Sequence, residues 1–98
     1  RDYYAFEPEG RKKHLDNPAN LENLRTLADR LELLPEFTHQ GIEEVFRALA
    51  EERQLKPAAL IHPARTAVSG KTSGAGLFEM MELLGKDRVL KRLRGATP

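Results

Sequence analysis

From Asn17 onward the apolar residues recur at helical spacing, and the breaks between runs carry residues that cap or stop helices. Asn17-Pro18 joins a good N-cap to the one helical position where proline loses nothing. Leu21, Leu24, Ala28 and Leu31 follow at steps of three and four until Pro35, which predicts a helix over about 18–34. Thr38 can cap a second helix, with Ile42, Val45, Phe46 and Leu49 on one face and Glu43, Glu44, Glu51 and Glu52 outside. These two helices are expected to pack as a hairpin spanning 17–55. Upstream, Tyr3, Tyr4 and Phe6 lead into a polar segment, Glu7 to Leu15, that Gly10 weakens; at best it forms a short helix, and residues 1–16 read as a connector.

Lys56-Pro57 opens a third helix carrying Leu60, Ile61, Ala64 and Val68. Pro63 lies inside it and must kink or restart it, because its ring displaces the i−4 carbonyl; a bend just before Arg65 is expected. Ser69 to Gly76 holds three glycines and no large apolar residue, so it reads as a loop. Leu77, Phe78, Met80, Met81, Leu83 and Leu84 then make a helix apolar nearly all round, expected to be the buried centre of the C-terminal half. Gly85 is placed to end it. Lys86 to Arg94 forms a last helix with Val89, Leu90 and Leu93 inward and Lys86, Lys91, Arg92 and Arg94 in solvent. Strand signals are scarce, with no run of strict apolar/polar alternation. The expected fold is all-α, a compact single-domain bundle of five or six short helices.

Composition narrows the class. Ninety-eight residues make one domain able to bury about 65% of its unfolded surface, roughly 10,000 Å². With 40% hydrophobic and 32% charged residues and a mean hydropathy of -0.56, it matches a soluble protein, and no apolar run approaches the roughly 20 residues of a membrane span. Having no cysteine, it can form no disulfide, thiolate zinc site or cysteine nucleophile, and the cytoplasm is the default compartment. It starts at Arg1 without a signal peptide and is expected to come from a longer protein.

Few residues suggest catalysis. Gly70-Lys71-Thr72 invites a phosphate-loop reading, but that motif needs a glycine where Arg65 stands and a strand before the loop. His14, His39 and His62 are too far apart to form a helical metal pair. The acidic residues fall at solvated helix positions. Charge by halves says more than the net of +1: residues 1–56 carry nine Lys and Arg against twelve Asp and Glu, and residues 57–98 carry seven against three. Arg65, Lys71, Lys86, Arg88, Lys91, Arg92 and Arg94 surround a glycine-rich loop that ends at a helix N-terminus, where free N–H groups favour anions. Such a half suits a nucleic-acid backbone or exposed bases. A basic docking helix for an acidic protein partner and a helix-turn-helix DNA binder remain open on these features.

The string Ile61-His62-Pro63-Ala64-Arg65-Thr66-Ala67-Val68-Ser69-Gly70-Lys71-Thr72, with Gly76-Leu77-Phe78-Glu79 and Leu83-Leu84-Gly85-Lys86-Asp87-Arg88-Val89-Leu90, resembles the C-terminal anticodon-binding region of bacterial glutamyl-tRNA synthetase. The order of a Leu-rich helix, the Pro35 to Thr38 break, an amphipathic helix and Leu55-Lys56-Pro57 also agrees, so the likeness runs from Asn17 to Arg94. The resemblance implies a helical domain that holds the anticodon stem-loop of tRNA(Glu) and reads its first two anticodon bases. Arg65 matches an arginine on an anticodon base, and Leu77 a leucine packed against bases. His62 falls near the same edge. Lys71, Thr72, Gly74, Ala75 and Gly76 complete the implied RNA-binding set. Many family members have Ser or Thr followed by Pro where this chain has Gly74 and Ala75, which removes a hydroxyl and a rigid ring from the loop. The resemblance also implies a cytoplasmic monomeric parent enzyme whose preceding domains use ATP and Mg. Neither class I synthetase signature is in these residues, so no catalytic residue, cofactor or metal is expected here, and no membrane contact.

Overall fold

The computed structural model of the chain describes residues 14–70 and 76–97. Most of the Glu7–Leu15 segment, and Lys71, Thr72, Gly74 and Ala75 of the loop, lie outside them. The described residues hold five α-helices: α1 (Pro18–Glu32), α2 (His39–Glu52), α3 (Pro57–Ser69), α4 (Leu77–Leu84) and α5 (Lys86–Arg94).

The capping signals act where they were expected. Asn17 Oδ1 accepts from the Ala19 amide at 2.9 Å, and Pro18 begins α1. Thr38 Oγ1 accepts from the Gly41 amide at 3.1 Å and starts α2. At its other end α2 closes with a residue that the spacing did not mark. Gln54 takes the left-handed conformation at φ 56°, its amide donates to Glu51 O at 3.1 Å, and the Leu55 amide donates to Ala50 O at 2.8 Å. This is the Schellman arrangement, with glutamine at the position glycine normally fills.

α3 runs unbroken from Pro57 to Ser69 with the buried Pro63 inside it, so the restart alternative is not taken. Its last turn ends at Gly70, left-handed at φ 76°, whose amide donates to Thr66 O at 2.7 Å. A single residue joins α4 to α5. Gly85, at φ 92° and ψ 156°, ends one helix with its amide on Met81 O at 3.0 Å and starts the next with its carbonyl accepting from Val89 at 3.1 Å. That backbone region is essentially closed to residues with a Cβ.

All five helices contribute to one core. Leu24, Leu27, Ala28 and Leu31 of α1 meet Ile42, Phe46 and Leu49 of α2, Leu60, Ala64, Ala67 and Val68 of α3, Met81 of α4, and Val89 and Leu93 of α5. Leu15, ahead of α1, is fully buried among them. The α1–α2 hairpin forms, but the most extensive contact of α1 is with α5, so the first and last helices of the described fold lie side by side.

α4 is not the buried centre that its composition suggested. Only Leu77 and Met81 are buried, and Leu83 is 88% exposed. An eight-residue helix laid against α2 covers a single stripe, and i,i+4 spacing puts Leu77 and Met81 on it. Phe78 is half-buried with its ring centroid 5.0 Å from that of Phe46, while Leu83 falls on the far side. A helix apolar all round cannot reveal from its pattern which stripe will be covered.

Candidate nucleic-acid interface

The described basic residues of the C-terminal half divide into two sets. Three of the four on the last helix that were expected to stand in solvent hold contacts to the protein itself, Arg94 while remaining exposed as expected. Lys86 Nζ donates to Leu34 O at 2.6 Å and Glu32 O at 3.1 Å, closing the C-terminal end of α1. Arg92 donates to Val68 O at 2.6 Å at the C-terminal end of α3. Both cations sit where helix carbonyls lack partners and the helix dipole is negative. Arg94 bridges Glu32 at 2.7 Å and Asp29 at 3.0 Å on α1. Those hydrogen bonds, Glu32 first and Asp29 second, push its already high pKa further up. The sequence could not show this division, because each acceptor lies on an element distant in the chain.

Arg65, Arg88 and Lys91 form the second set: none makes a hydrogen bond or ion pair with a described side chain. On α3 the buried residues are Leu60, Pro63, Ala64, Thr66, Ala67 and Val68. Ala58, His62, Arg65 and Ser69, at steps of four, three and four, make the opposite face, with Ala58 and His62 exposed and Arg65 and Ser69 half-buried. No acidic residue occurs anywhere on α3. Arg88 lies one turn before Arg92 on the flank of α5 that meets the end of α3. Arg88 is exposed there, and nothing in its own sequence neighbourhood set it apart from Arg92.

The remaining expected site residues separate. His62 is exposed, one turn before Arg65. Leu77 is only 4% exposed and packs in the core, anchoring the start of α4. Gly76 is exposed and left-handed at φ 56°, with no side-chain cap on the first α4 amides. Lys71, Thr72, Gly74 and Ala75 lie outside the described residues. Among those residues no group of three or more His, Cys, Asp or Glu could hold a metal ion, and no helix is long and apolar enough to cross a membrane.

The chain matches the family model described as anticodon binding domain over residues 1–97. It belongs to the anticodon-binding domain family. It is similar to glutamate–tRNA ligase from Moorella thermoacetica, 46% identical over 92 residues that make 94% of this chain and 19% of that protein. Glutamate–tRNA ligase 2 from Rubrobacter xylanophilus is 50% identical over 72 residues, 74% of this chain and 14% of that one. The chain thus spans about a fifth of the length of such relatives. In fold it is similar to a glutamate tRNA ligase from Elizabethkingia meningosepticum, with a TM-score of 0.88 at 24% identity, over 98% of this chain and 19% of that one.

For an anticodon-binding domain, the division of basic residues has a direct meaning. A cation that is to meet a phosphate or a base must not already be tied to a carboxylate, and among the described residues Arg65, Arg88 and Lys91 have no such tie. Lys86, Arg92 and Arg94 instead fix the frame on which the free cations stand. Two further ties hold that frame on its acidic side. Glu82 of α4 accepts from the His39 amide at 2.5 Å and lies 2.8 Å from His39 Nδ1, which holds the Glu82 carboxyl below the usual carboxylate range. Arg53 reaches Glu22 at 2.6 Å, Thr26 at 3.1 Å and the side chain of Asn23, joining the end of α2 to α1.

Proposed function

We propose that this chain is the anticodon-binding part of a glutamate–tRNA ligase and holds the anticodon stem-loop of tRNA(Glu) against the face of α3 that carries Arg65. The observation that carries the reading is the Arg65 guanidinium: half-exposed, unpaired among the described residues, and on a helix face without a carboxylate. A guanidinium offers a planar fork of donors that can grip a base edge or stack on its face. In single-stranded loops the bases are splayed and their edges accessible, so one arginine can read a base there. Arg88 and Lys91 add a phosphate-directed attraction that does not depend on sequence.

On this reading residues 56–98 are the RNA-contacting half and residues 1–16 connect to preceding domains of the same protein. Those domains, which use ATP and Mg, attach glutamate to the tRNA in the cytoplasm, with the protein acting as a monomer. Gly76, with the loop residues Lys71, Thr72, Gly74 and Ala75, meets the RNA beside Arg65. Gly74 and Ala75 leave only small side chains at their positions, so any contact there is made by the backbone. Leu77 acts from below, fixing the start of α4 under the bases.

The reading is tested by measuring how the full-length protein carrying this domain binds tRNA(Glu) and the same tRNA with its first two anticodon bases changed. Weaker binding of the changed tRNA is expected. Equal binding of both would contradict the reading.

A further inference from the structure

A second feature lies on the same face of α3, one turn before Arg65. The rings of His14 and His62 are stacked, with centroids 5.9 Å apart and planes 18° from parallel. His14 is half-buried and His62 exposed, so His14 backs the ring of His62 from the protein side. The backing is itself anchored: Asn20 Nδ2 donates to the His14 carbonyl at 2.9 Å, and the neighbouring Leu15 is fully buried. An exposed side chain ordinarily gives up rotamer freedom when it meets a ligand. Here the neighbouring ring already limits the orientations open to His62 on one side.

Beside the pair lies an open cleft of about 400 Å³, lined among others by His14, Asn20, Gln54, Lys56, His62 and Pro63. Small-ligand sites run from about 300 to 1,000 Å³, so its size is in range. Its described lining includes no carboxylate, one lysine and two imidazoles, together with apolar carbon from Leu55, Ala58 and Ala59. This combination repels neither a phosphate nor a base.

We propose that His62, backed by His14, is a stacking platform for one further nucleotide of the bound RNA. This nucleotide adjoins the one at Arg65, with its base on the imidazole face and its phosphate toward Lys56. The proposal rests on the reading that the face of Arg65 meets RNA, and it extends that reading by one nucleotide. Stacking suits this position because it is indifferent to base identity: every base has a π-face, so the platform adds affinity without altering which anticodon is chosen. Arg65 reads, and the His62 platform holds the neighbouring nucleotide in register.

The test compares His62→Ala, His62→Phe and Arg65→Ala in the full-length protein carrying this domain, with tRNA(Glu) and with anticodon stem-loops carrying one abasic nucleotide at each loop position in turn. His62→Ala is expected to raise the Kd for tRNA(Glu) about tenfold, and His62→Phe, which keeps a ring, to stay within about threefold of the parent. One abasic position, next to the one that abolishes the effect of Arg65→Ala, should also abolish the effect of His62→Ala. That coupling is something a merely structural role would not produce. If Arg65→Ala weakens binding and His62→Ala does not, the platform is wrong while the face of α3 remains the RNA surface. If neither weakens binding, the RNA surface itself is misplaced. If His62→Ala weakens binding equally at every abasic position and His62→Phe gives no rescue, the histidine pair acts through the fold or through another protein segment, and the proposal is overturned.

Discussion

Arg92 of α5 donates to the carbonyl of Val68 at 2.6 Å, and this bond closes the end of the helix that carries Arg65. Val68 is fully buried, so its carbonyl has little access to water in place of the guanidinium. Two neighbouring bonds complete the turn: Ser69 Oγ donates to Arg65 O at 2.7 Å and the Gly70 amide to Thr66 O at 2.7 Å. Arg92→Leu should cost about 1–2 kcal/mol, the range for a charge-assisted bond to a helix C-terminus, and chemical denaturation of the variant would show it. Arg92→Lys should recover part of that, because an ammonium also satisfies a carbonyl. A neutral result for Arg92→Leu would place the closure of α3 elsewhere.

Gly85 provides a test of backbone strain alone. A Cβ built there would meet nothing within 4 Å, so only the φ of 92° opposes a side chain. Gly85→Ala should destabilise by about 1–3 kcal/mol. Replacement by D-alanine, whose preferred φ is positive, should be close to neutral. Equal losses for both would mean that space rather than conformation is limiting.

The reverse change applies at Gln54, the left-handed residue after α2. Glycine there removes the steric cost of the left-handed conformation but adds freedom to the unfolded chain. Gln54→Gly should leave a net gain of about 0.5–1 kcal/mol, read as a higher midpoint of denaturation with an unchanged slope.

The Glu82–His39 contact predicts an acid-side dependence. The Glu82 carboxyl is held below its ordinary range, first by the hydrogen bond from the His39 side chain and then by the one from its amide. A depressed folded pKa stabilises the fold at pH above the unfolded value, about 4.3, and that stability is lost as pH falls through the folded value. Glu22, held down chiefly by the Arg53 side chain, acts in the same direction. Stability measured from about pH 6 down to about pH 3 should therefore fall, and Glu82→Gln should make the fall shallower. An unchanged slope would show that the contact does not persist in solution.

Local signals located most of the helices. Asn17-Pro18, Thr38, Lys56-Pro57 and Gly85 each act within a few residues of themselves, and helices begin or end at all four. Tertiary relationships were not legible. Lys86, Arg92 and Arg94 looked like solvated charges because their acceptors, Leu34, Val68 and Asp29, lie 24 to 65 residues away in the chain. The exposure of Leu83 depends on which stripe of α4 is covered, and an all-apolar helix does not encode that choice. Arg65 was singled out by the string around it, and it stands without an ion-pair partner among the described residues. The stacking of His14 on His62 was not legible, since the two lie 48 positions apart and neither neighbourhood points to the other.

Contact between Arg65 and an anticodon base is tested by a cycle of two changes. In the full-length protein carrying this domain, binding of tRNA(Glu) is measured for the parent and Arg65→Ala, each with the native anticodon and with each of the first two anticodon bases replaced. Loss of Arg65 should cost about 1–3 kcal/mol with the native anticodon and almost nothing once the base it contacts has been replaced. An equal cost with every anticodon would assign Arg65 to the phosphate backbone, and no cost with any would remove it from the interface; either result contradicts the account.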